Sequence, residues 1–322
     1  MTKRYLGNII TQNPTAPAGN FQDSAASGVW SLAEALAYIK ADQWPIPGNV
    51  AAPSTVEVLV VAGGGGGAQS NSTHMGGGGA GGLLQNSSYS VTPSTSYTIT
   101  IGAGGPASSN FTNQGNGSNS TFDALTPLGG GFGSRGDDAG TGASSGGSGG
   151  GGAGKTQISG GSGTSGQGNA GGEGSSSQFI GAGGGGAGAA GADGSETFGQ
   201  PGGNGGIGLA SSITGASTYY AGGGAGAGNG GGGTGGAGGG GDAADNSSTS
   251  GDNGTANTGG GGGAGWLNNT SAGTGGSGVV IIAYPDTFPA PTIGAGLTYT
   301  SLGSRSGYNV YKFTAGTGSI NW

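Results

Sequence analysis

Residues 221–241 read AGGGAGAGNGGGGTGGAGGGG, and runs of this kind recur throughout the tract from Gly129 to Ser277. Glycine supplies 63 of the 149 residues of that tract, against 4 of the first 62 residues of the chain. Glycine has no side chain to bury, and it loses more backbone entropy on ordering than any other residue. An ordinary apolar core therefore cannot fold the tract, which is either disordered or ordered by contacts between backbones.

The placement of the large side chains favours order. Composition alone is typical of a low-complexity, disordered segment. The glycine runs, however, alternate with short stretches that hold nearly all the large side chains of the tract. These stretches are Lys155–Ser159, Ser175–Ile180, Ser195–Phe198, Leu209–Tyr220 and Trp266–Thr270. A random linker has no reason to sort its aromatic residues in this way, so we expect an ordered tract.

This alternation predicts a mainly β and irregular fold, built around a bundle of glycine-rich helices of the polyproline II type. Such helices have about three residues per turn and no internal hydrogen bonds, so their N–H and C=O groups need partners in neighbouring chains. The glycine-poor stretches would be turns, with consecutive turns at opposite ends of the bundle. Collagen is the competing arrangement, but it requires glycine at every third position, and Ser175–Ile180 breaks that repeat.

Residues 1–54 are predicted to form an N-terminal attachment or cap segment with one short helix. Ser31 and Glu34 have the spacing of a capping box, and Pro45 follows at a position where it ends a helix. One short helix cannot bury a large core, so the segment either caps the rest of the protein or docks a partner protein. The residues expected at the attachment surface are Trp30, Leu32, Leu36, Ile39 and Trp44.

Residues 55–285 form the predicted glycine-rich domain, in which short strands enclose the glycine tract. Apolar and β-branched residues predict one strand at Thr55–Ala62 and another at Gly278–Pro285. The second is nearly continuous in apolar residues, which is typical of a strand buried on both faces. A small sheet is therefore expected, from which the glycine bundle leaves and to which it returns.

Two further β elements are predicted outside the glycine tract. Residues alternate between apolar and polar at Ser88–Val91 and at Tyr97–Ile101, around the turn Thr92-Pro93-Ser94-Thr95. This pattern predicts a hairpin. Residues 286–322 are predicted to form a short C-terminal β unit, because several short β-rich segments follow one another there.

The charge and residue content exclude several functional classes. The chain of 322 residues has a formal net charge of −7, one histidine and no cysteine. This balance argues against nucleic-acid binding, which requires clustered Lys and Arg, and the lack of cysteine excludes disulfides and thiolate chemistry. The N-terminus has no apolar core of a signal peptide, and no apolar run reaches the roughly 20 residues that span a bilayer. We expect a protein made in a cytoplasm.

No pattern in the sequence predicts a catalytic residue, a cofactor or a metal, so we do not expect an enzyme. Residues 149–156 match the P-loop pattern, but no strand precedes them and no helix follows. The tripeptide Arg135-Gly136-Asp137 is too short to indicate integrin binding. His74 has no second His or Cys with which to bind a transition metal. Three nearby acids lack the spacing of calcium-binding repeats: Asp242, Asp245 and Asp252.

Five segments together resemble the glycine-rich domain of bacteriophage tail-fibre and virion proteins. They are Val56–Gly66, Gly76–Gly82, Tyr97–Gly105, Gly254–Gly262 and Gly275–Ile282. The resemblance covers about residues 56–285, and the residues around Arg4–Asn8 and Gly28–Pro45 are similar to the start of structural proteins in phages of aquatic bacteria. The architecture is similar to the polyglycine sandwich of receptor-binding adhesins, in which stacked polyglycine helices carry variable loops that contact the host.

The resemblance implies a virion structural protein, a tail-fibre or adhesin subunit that binds a bacterial surface glycan or an outer-membrane protein. Other virion proteins would bind the N-terminal segment, nucleic acid would not be a partner, and a homo-oligomer is left open. Aromatic residues on the glycine-poor connections are candidate receptor anchors, because Tyr and Trp often anchor interfaces. They are Phe179, Phe198, Tyr219, Tyr220 and Trp266. Each could instead fold inward to cover the end of the bundle.

Two functions of other classes compete with the adhesin hypothesis. The glycine domain could be a structural spacer in a fibril, a lattice or a capsid decoration, without a receptor. It could also bind ice, since a flat glycine-rich bundle can present ordered Thr and Ala side chains. The lack of disulfides argues against the ice-binding hypothesis, because small secreted bundles commonly use them. Binding to host cells separates the first two hypotheses, and thermal hysteresis tests the third.

Overall fold

The computed structural model describes residues 52–70, 74–108, 114–136, 142–154, 158–245, 250–266 and 271–322. Within these ranges the chain forms twelve β-strands and no helix, so it contains no helix that could cross a bilayer. The strands are β1 Thr55–Val61, β2 Leu83–Ser90, β3 Tyr97–Thr100, β4 Thr121–Phe122, β5 Leu209–Ser211, β6 Thr218–Tyr220, β7 Ala227–Gly228, β8 Gly231–Gly232, β9 Val279–Pro285, β10 Thr292–Ile293, β11 Leu297–Leu302 and β12 Tyr308–Asn321. The predicted N-terminal helix and its attachment residues lie outside the described ranges.

Eight strands form one antiparallel sheet in the order β2-β1-β9-β12-β3-β4, with β10 and β11 also paired to β12. The strands predicted on either side of the glycine tract are confirmed as β1 and β9, and they pair directly, with Leu59 opposite Ile281. All residues of β9 except Pro285 are buried, as the continuous apolar run predicted. After β1 the chain returns to the sheet as β2, β3 and β4, so the glycine tract follows β4 and re-enters the sheet at β9, beside β1.

The predicted hairpin between Ser88–Val91 and Tyr97–Ile101 is wrong. Both segments contribute strands, but β2 pairs with β1, whereas β3 pairs with β12 and β4. Ile99, for example, lies opposite Gly318. Alternation along the sequence identifies a strand with one buried face, but it does not identify the partner strand. Here each strand pairs with strands elsewhere in the chain.

The central strands bury side chains on both faces, because successive residues of a strand point to opposite sides. On one face, Val58 and Ile282 belong to an apolar cluster with Phe313 of β12 and Phe122 of β4. On the other face, Leu59 and its neighbours pack against residues of the glycine tract. That second cluster contains Leu59, Val61, Ala80, Leu83, Ile213, Tyr220, Ala221, Val279, Ile281, Ala283 and Val310. The sheet thus provides the side-chain core on which the glycine tract rests.

The glycine-rich segments between residues 62 and 278 are joined to one another by backbone hydrogen bonds, and we call them the glycine lattice. The amides of Gly63, Gly64 and Gly65 donate to three different segments, and the next three amides return to the same three segments in the same order. These bonds are Gly63–Ser118, Gly64–Gly276, Gly65–Gly79, Gly66–Gly115, Gly67–Gly273 and Ala68–Gly76, with N···O distances from 2.8 to 3.3 Å. This segment thus donates to three neighbouring segments, at residues 76–79, 115–118 and 273–276.

These hydrogen bonds confirm the prediction that backbone contacts order the tract, but the predicted fold class is wrong. The described residues of the tract contain no helix, and their regular secondary structure consists of antiparallel strands, including the hairpins β5–β6 and β7–β8. The bundle of polyproline II-type helices is therefore replaced by an antiparallel β architecture with extended glycine segments. Glycine content shows how closely backbones can approach, but it offers no side-chain periodicity from which to assign a helix.

Short polar side chains complete the hydrogen bonding at the outer segments of the lattice. The exposed Asn116 and Asn119 accept hydrogen bonds from the amides of Phe132 and Gly129, at 3.1 and 2.9 Å. Asn204, Asn253, Asp193 and Asp242 accept from backbone amides in the same way. A side-chain oxygen atom stands in for a missing neighbouring carbonyl group, which explains why Asn and Asp interrupt the glycine runs.

Gly223 tests the requirement for close backbone approach. A Cβ atom at Gly223 would lie 2.1 Å from the carbonyl oxygen of Gly184, well inside van der Waals contact. We expect Gly223→Ala to lower the free energy of unfolding by about 3 kcal/mol or more, as severe overpacking does. Urea denaturation gives the change.

Gly303→Ala is the matched control, because a Cβ atom there meets nothing within 4 Å. We expect this variant to unfold within about 0.5 kcal/mol of the wild type, as surface substitutions do. Equal stability of the two variants would contradict a lattice held by direct backbone contact.

Candidate functional site

The lattice has two ends, and the aromatic candidates are divided between them. At the sheet end, Ala62 donates to Gly82, and both residues adjoin strands of the main sheet. The segment from Gly181 to Ala187 runs between the two ends. Its last residue, Ala187, packs against the side-chain core, whereas Gly181 donates to Ala227, whose amide donates to Met75. We call the end around Met75 and Ala227 the far end.

Tyr219 and Tyr220 lie at the sheet end, on strand β6. Tyr220 is 3% exposed and belongs to the apolar cluster beneath the sheet, and this burial raises the pKa of its hydroxyl group. The burial leaves Tyr220 no surface to offer a receptor. Tyr219 points away from that cluster and is 48% exposed.

Phe179 and Phe198 lie at the far end, in a surface made of three turns. We define the three-turn surface as residues 173–180, 193–201 and 227–231. Hydrogen bonds join these turns to one another. The Ser177 hydroxyl donates to Glu196, Gly194 N–H to the Glu173 carbonyl, the Asn229 side-chain amide to the Gln178 carbonyl, and Gly230 N–H to the Gln200 carbonyl. The turns therefore form one connected surface.

Phe179 is held in an unfavourable backbone conformation. Its φ angle is 56°, and a bulky residue in this left-handed region is strained by about 1–3 kcal/mol. Its side chain is nevertheless 48% exposed, while the next residue, Ile180, is fully buried. The bridge between Ser175 and Ile180 closes the turn. Strain of this kind persists where the surrounding structure fixes it, and it is concentrated at functional sites.

Phe198 is the most exposed aromatic candidate, with 74% of its surface accessible. It precedes Gly199, whose φ angle of 78° closes the second turn in a conformation that favours glycine. The ring therefore projects from a tight turn and is not folded over the end of the lattice. Phe179 and Phe198 together give the three-turn surface an exposed aromatic character.

Trp266 supports the far end from within. Its ring meets the His74 ring edge-on, at a centroid distance of 4.8 Å, and it packs against an apolar cluster that contains Met75 and Ala227. His74 is 6% exposed, and its Nδ1 lies 2.6 Å from the carbonyl oxygen of Phe179. Because a carbonyl group can only accept, the Nδ1–H donates. Trp266 and His74 thus brace the backbone that carries the exposed phenylalanine.

His74 is the supporting residue that the sequence did not reveal. In the sequence, His74 suggests only a possible metal ligand. The one local indication of a buried position is that it precedes Met75 and a glycine run. Burial lowers the pKa of the His74 imidazole, against the opposing effect of its hydrogen bond to Phe179. Its Nε2 atom is buried without a hydrogen-bond partner in the described part of the chain, so the site favours the neutral ring.

The motifs that suggested other chemistry do not form sites in the described residues. The amides of Gly149, Gly150, Gly151 and Gly152 all donate to carbonyl groups of the lattice, so they have no free N–H groups for a phosphate. Lys155, Thr156 and Asp137 lie outside the described ranges. Within those ranges no group of three His, Asp or Glu residues is placed to hold a metal ion. Among the described features, the three-turn surface combines exposure with aromatic residues most clearly.

Comparison with known protein families gives one match. A family model described as a glycine-rich domain matches residues 39–285. No curated protein and no solved structure matches the chain. The matched range includes β1, the described glycine lattice and β9.

The pKa of His74 predicts a loss of stability in mild acid. A folded-state pKa below the unfolded value means that the unfolded chain binds the proton more readily. Stability should therefore be fully present above about pH 6.5, the ordinary histidine value, and fall as the pH drops through that value towards the lowered folded pKa. We expect His74→Gln, which keeps a donor but does not titrate, to flatten this part of the profile. Urea midpoints measured between pH 5 and 8 test this expectation, and parallel profiles for variant and wild type would contradict it.

Proposed function

Because the chain belongs to the glycine-rich domain family, we propose that its lattice is a rigid support for binding loops in a virion structural protein. In this proposal the protein is a tail-fibre or adhesin subunit, and the three-turn surface binds a receptor on a bacterial surface. The receptor is a surface glycan or an outer-membrane protein. The virion assignment is supported by the sequence resemblance to tail-fibre proteins, and the location of the binding surface is supported by the geometry of the lattice.

The observation that carries the proposal is the exposure of Phe179 and Phe198 on turns that a hydrogen-bonded backbone holds in place. The two side chains are 48% and 74% exposed, although burial of aromatic rings is strongly favourable. Turns that are already fixed lose little conformational entropy on binding, so more of the contact energy appears as affinity. Exposed aromatic residues on a rigid support are typical anchors of an interface.

The path of the chain suits attachment at one end and recognition at the other. Strand β1 begins at Thr55, away from the lattice, and its last residue, Val61, leads into the lattice. The described chain therefore enters the sheet at Thr55, at the end of β1 opposite to the lattice, and the proposed attachment segment precedes this point in the sequence. The three-turn surface lies at the far end of the lattice, which is the end away from the sheet. In this proposal the sheet faces the virion and the turns face the host.

Two equally exposed aromatic residues at opposite ends of the lattice give a direct test. Phe179 at the far end and Tyr219 at the sheet end are both 48% exposed. We expect Phe179→Ala to weaken binding of the purified protein to host cells by about tenfold, which is typical for the loss of one aromatic anchor. Tyr219→Ala should bind like the wild type. Fluorescent labelling and flow cytometry on the cells measure both affinities.

The unfolding midpoints of the two variants serve as the folding control. Equal binding by both variants and the wild type would contradict Phe179 as a receptor anchor, whereas a wild type that binds no host cells would support the structural-spacer hypothesis. A loss with Tyr219→Ala alone would move the binding surface to the sheet end and contradict the proposed orientation.

A further inference from the structure

The three-turn surface carries negatively charged side chains in addition to its exposed phenylalanine rings. Three of its residues are exposed carboxylates: Glu173, Asp193 and Glu196. None of its residues is a lysine or an arginine. The whole chain also has a formal net charge of −7.

The carboxylates belong to the same hydrogen-bonded turns as the two phenylalanine rings. Asp193 accepts a hydrogen bond from the Glu173 amide at 2.7 Å, which joins the first two turns. Glu196 accepts from the Ser177 hydroxyl, two residues before Phe179. Each carboxylate oxygen can accept more than one hydrogen bond, so Glu196 retains acceptor capacity for a ligand.

We propose that the three-turn surface binds a basic segment of an outer-membrane protein, in which Lys or Arg side chains lie over the phenylalanine rings and pair with the glutamates. This inference rests on the proposed function and names the class of receptor. An ammonium or guanidinium group is attracted to the face of an aromatic ring, and Arg pairs strongly with carboxylates. Exposed rings and exposed carboxylates on one surface present both partners for a cation.

Charge complementarity favours this occupant over a glycan. A glycan that carries phosphate or carboxylate groups would be repelled by the acidic surface, since like charges in an interface are unfavourable. An uncharged glycan could stack on the rings but would gain nothing from the net charge of the surface. A basic protein segment uses the rings and the carboxylates together. Its association should also be faster at low salt, because opposite charges steer the encounter.

A short synthetic peptide can stand in for the basic segment of the receptor. The probe is acetyl-Gly-Arg-Gly-Arg-Gly-amide, with the matching glutamate peptide and a tetrasaccharide of glucose as comparison ligands, measured by NMR titration of the full chain. We expect the arginine peptide to bind most tightly and to lose affinity as salt is raised. The double variant Glu173→Gln/Glu196→Gln should bind it about fivefold more weakly, as expected for two exposed ion pairs.

The matched control is Asp252→Asn/Asp286→Asn, which changes the net charge by the same amount at exposed residues outside the three turns. We expect this control to bind the arginine peptide within about twofold of the wild type, because neither residue belongs to the three turns and salt weakens interactions between separated exposed charges. If both double variants lost the same affinity for the arginine peptide, net charge alone would explain the effect, and the inference would be overturned. Tighter binding of the tetrasaccharide than of the arginine peptide would overturn it in favour of a glycan.

The same variants in the cell-binding assay separate this inference from the proposed function. If the wild type binds cells and Glu173→Gln/Glu196→Gln binds them equally well, the receptor class is wrong while the adhesin function stands. If the wild type binds no cells of any tested host but binds the arginine peptide as described, the proposed function fails while the surface chemistry stands.

Discussion

Buried amide and carbonyl groups must find hydrogen-bond partners, and in the glycine lattice they find them in neighbouring segments. In most proteins side chains fill the core, and backbone groups pair within helices or sheets. In the lattice the backbones themselves pack against one another. Gly78, for example, donates to Gly262, while its carbonyl oxygen accepts from Gly224. Such contacts require backbones to approach so closely that a Cβ atom at Gly78 would lie 2.2 Å from the carbonyl oxygen of Gly65. The absence of side chains is therefore the condition for order in this tract.

The lattice depends on the sheet, because backbone contacts alone bury little apolar surface. The sheet supplies two side-chain clusters, and the hairpin β5–β6 anchors the lattice to the second cluster through Ile213 and Tyr220. Arg305 adds a polar contact at the same junction. It pairs with Glu57 at 2.7 Å, lies over the Tyr308 ring and donates to the Ile213 carbonyl. The lattice is thus held to the sheet by apolar packing and by hydrogen bonds to the hairpin.

The turns at the far end are under different packing constraints from the glycine segments that they connect. A glycine inside the lattice, such as Gly78, has no space for a Cβ atom, whereas a turn residue such as Phe198 faces solvent. Side chains in the turns can therefore change without disturbing the backbone hydrogen bonds that hold the segments. This separation lets one rigid support present different surface chemistry, and it explains how a strained residue such as Phe179 is tolerated. The His74–Trp266 contact shows that the support extends to the base of the turns.

The sequence by itself determined that backbone contacts order the glycine tract and that strands at β1 and β9 enclose it. Those conclusions need only composition and local apolar pattern, because glycine allows close approach and β-branched residues favour strands. The sequence did not determine the pairing of β2 and β3, the absence of helix in the described tract, or the burial of Tyr220. The tertiary structure decided these features, because each depends on partners that are distant in the chain. His74 likewise became a brace for Phe179 only when the fold brought together two residues 105 positions apart, a contact that no local pattern records.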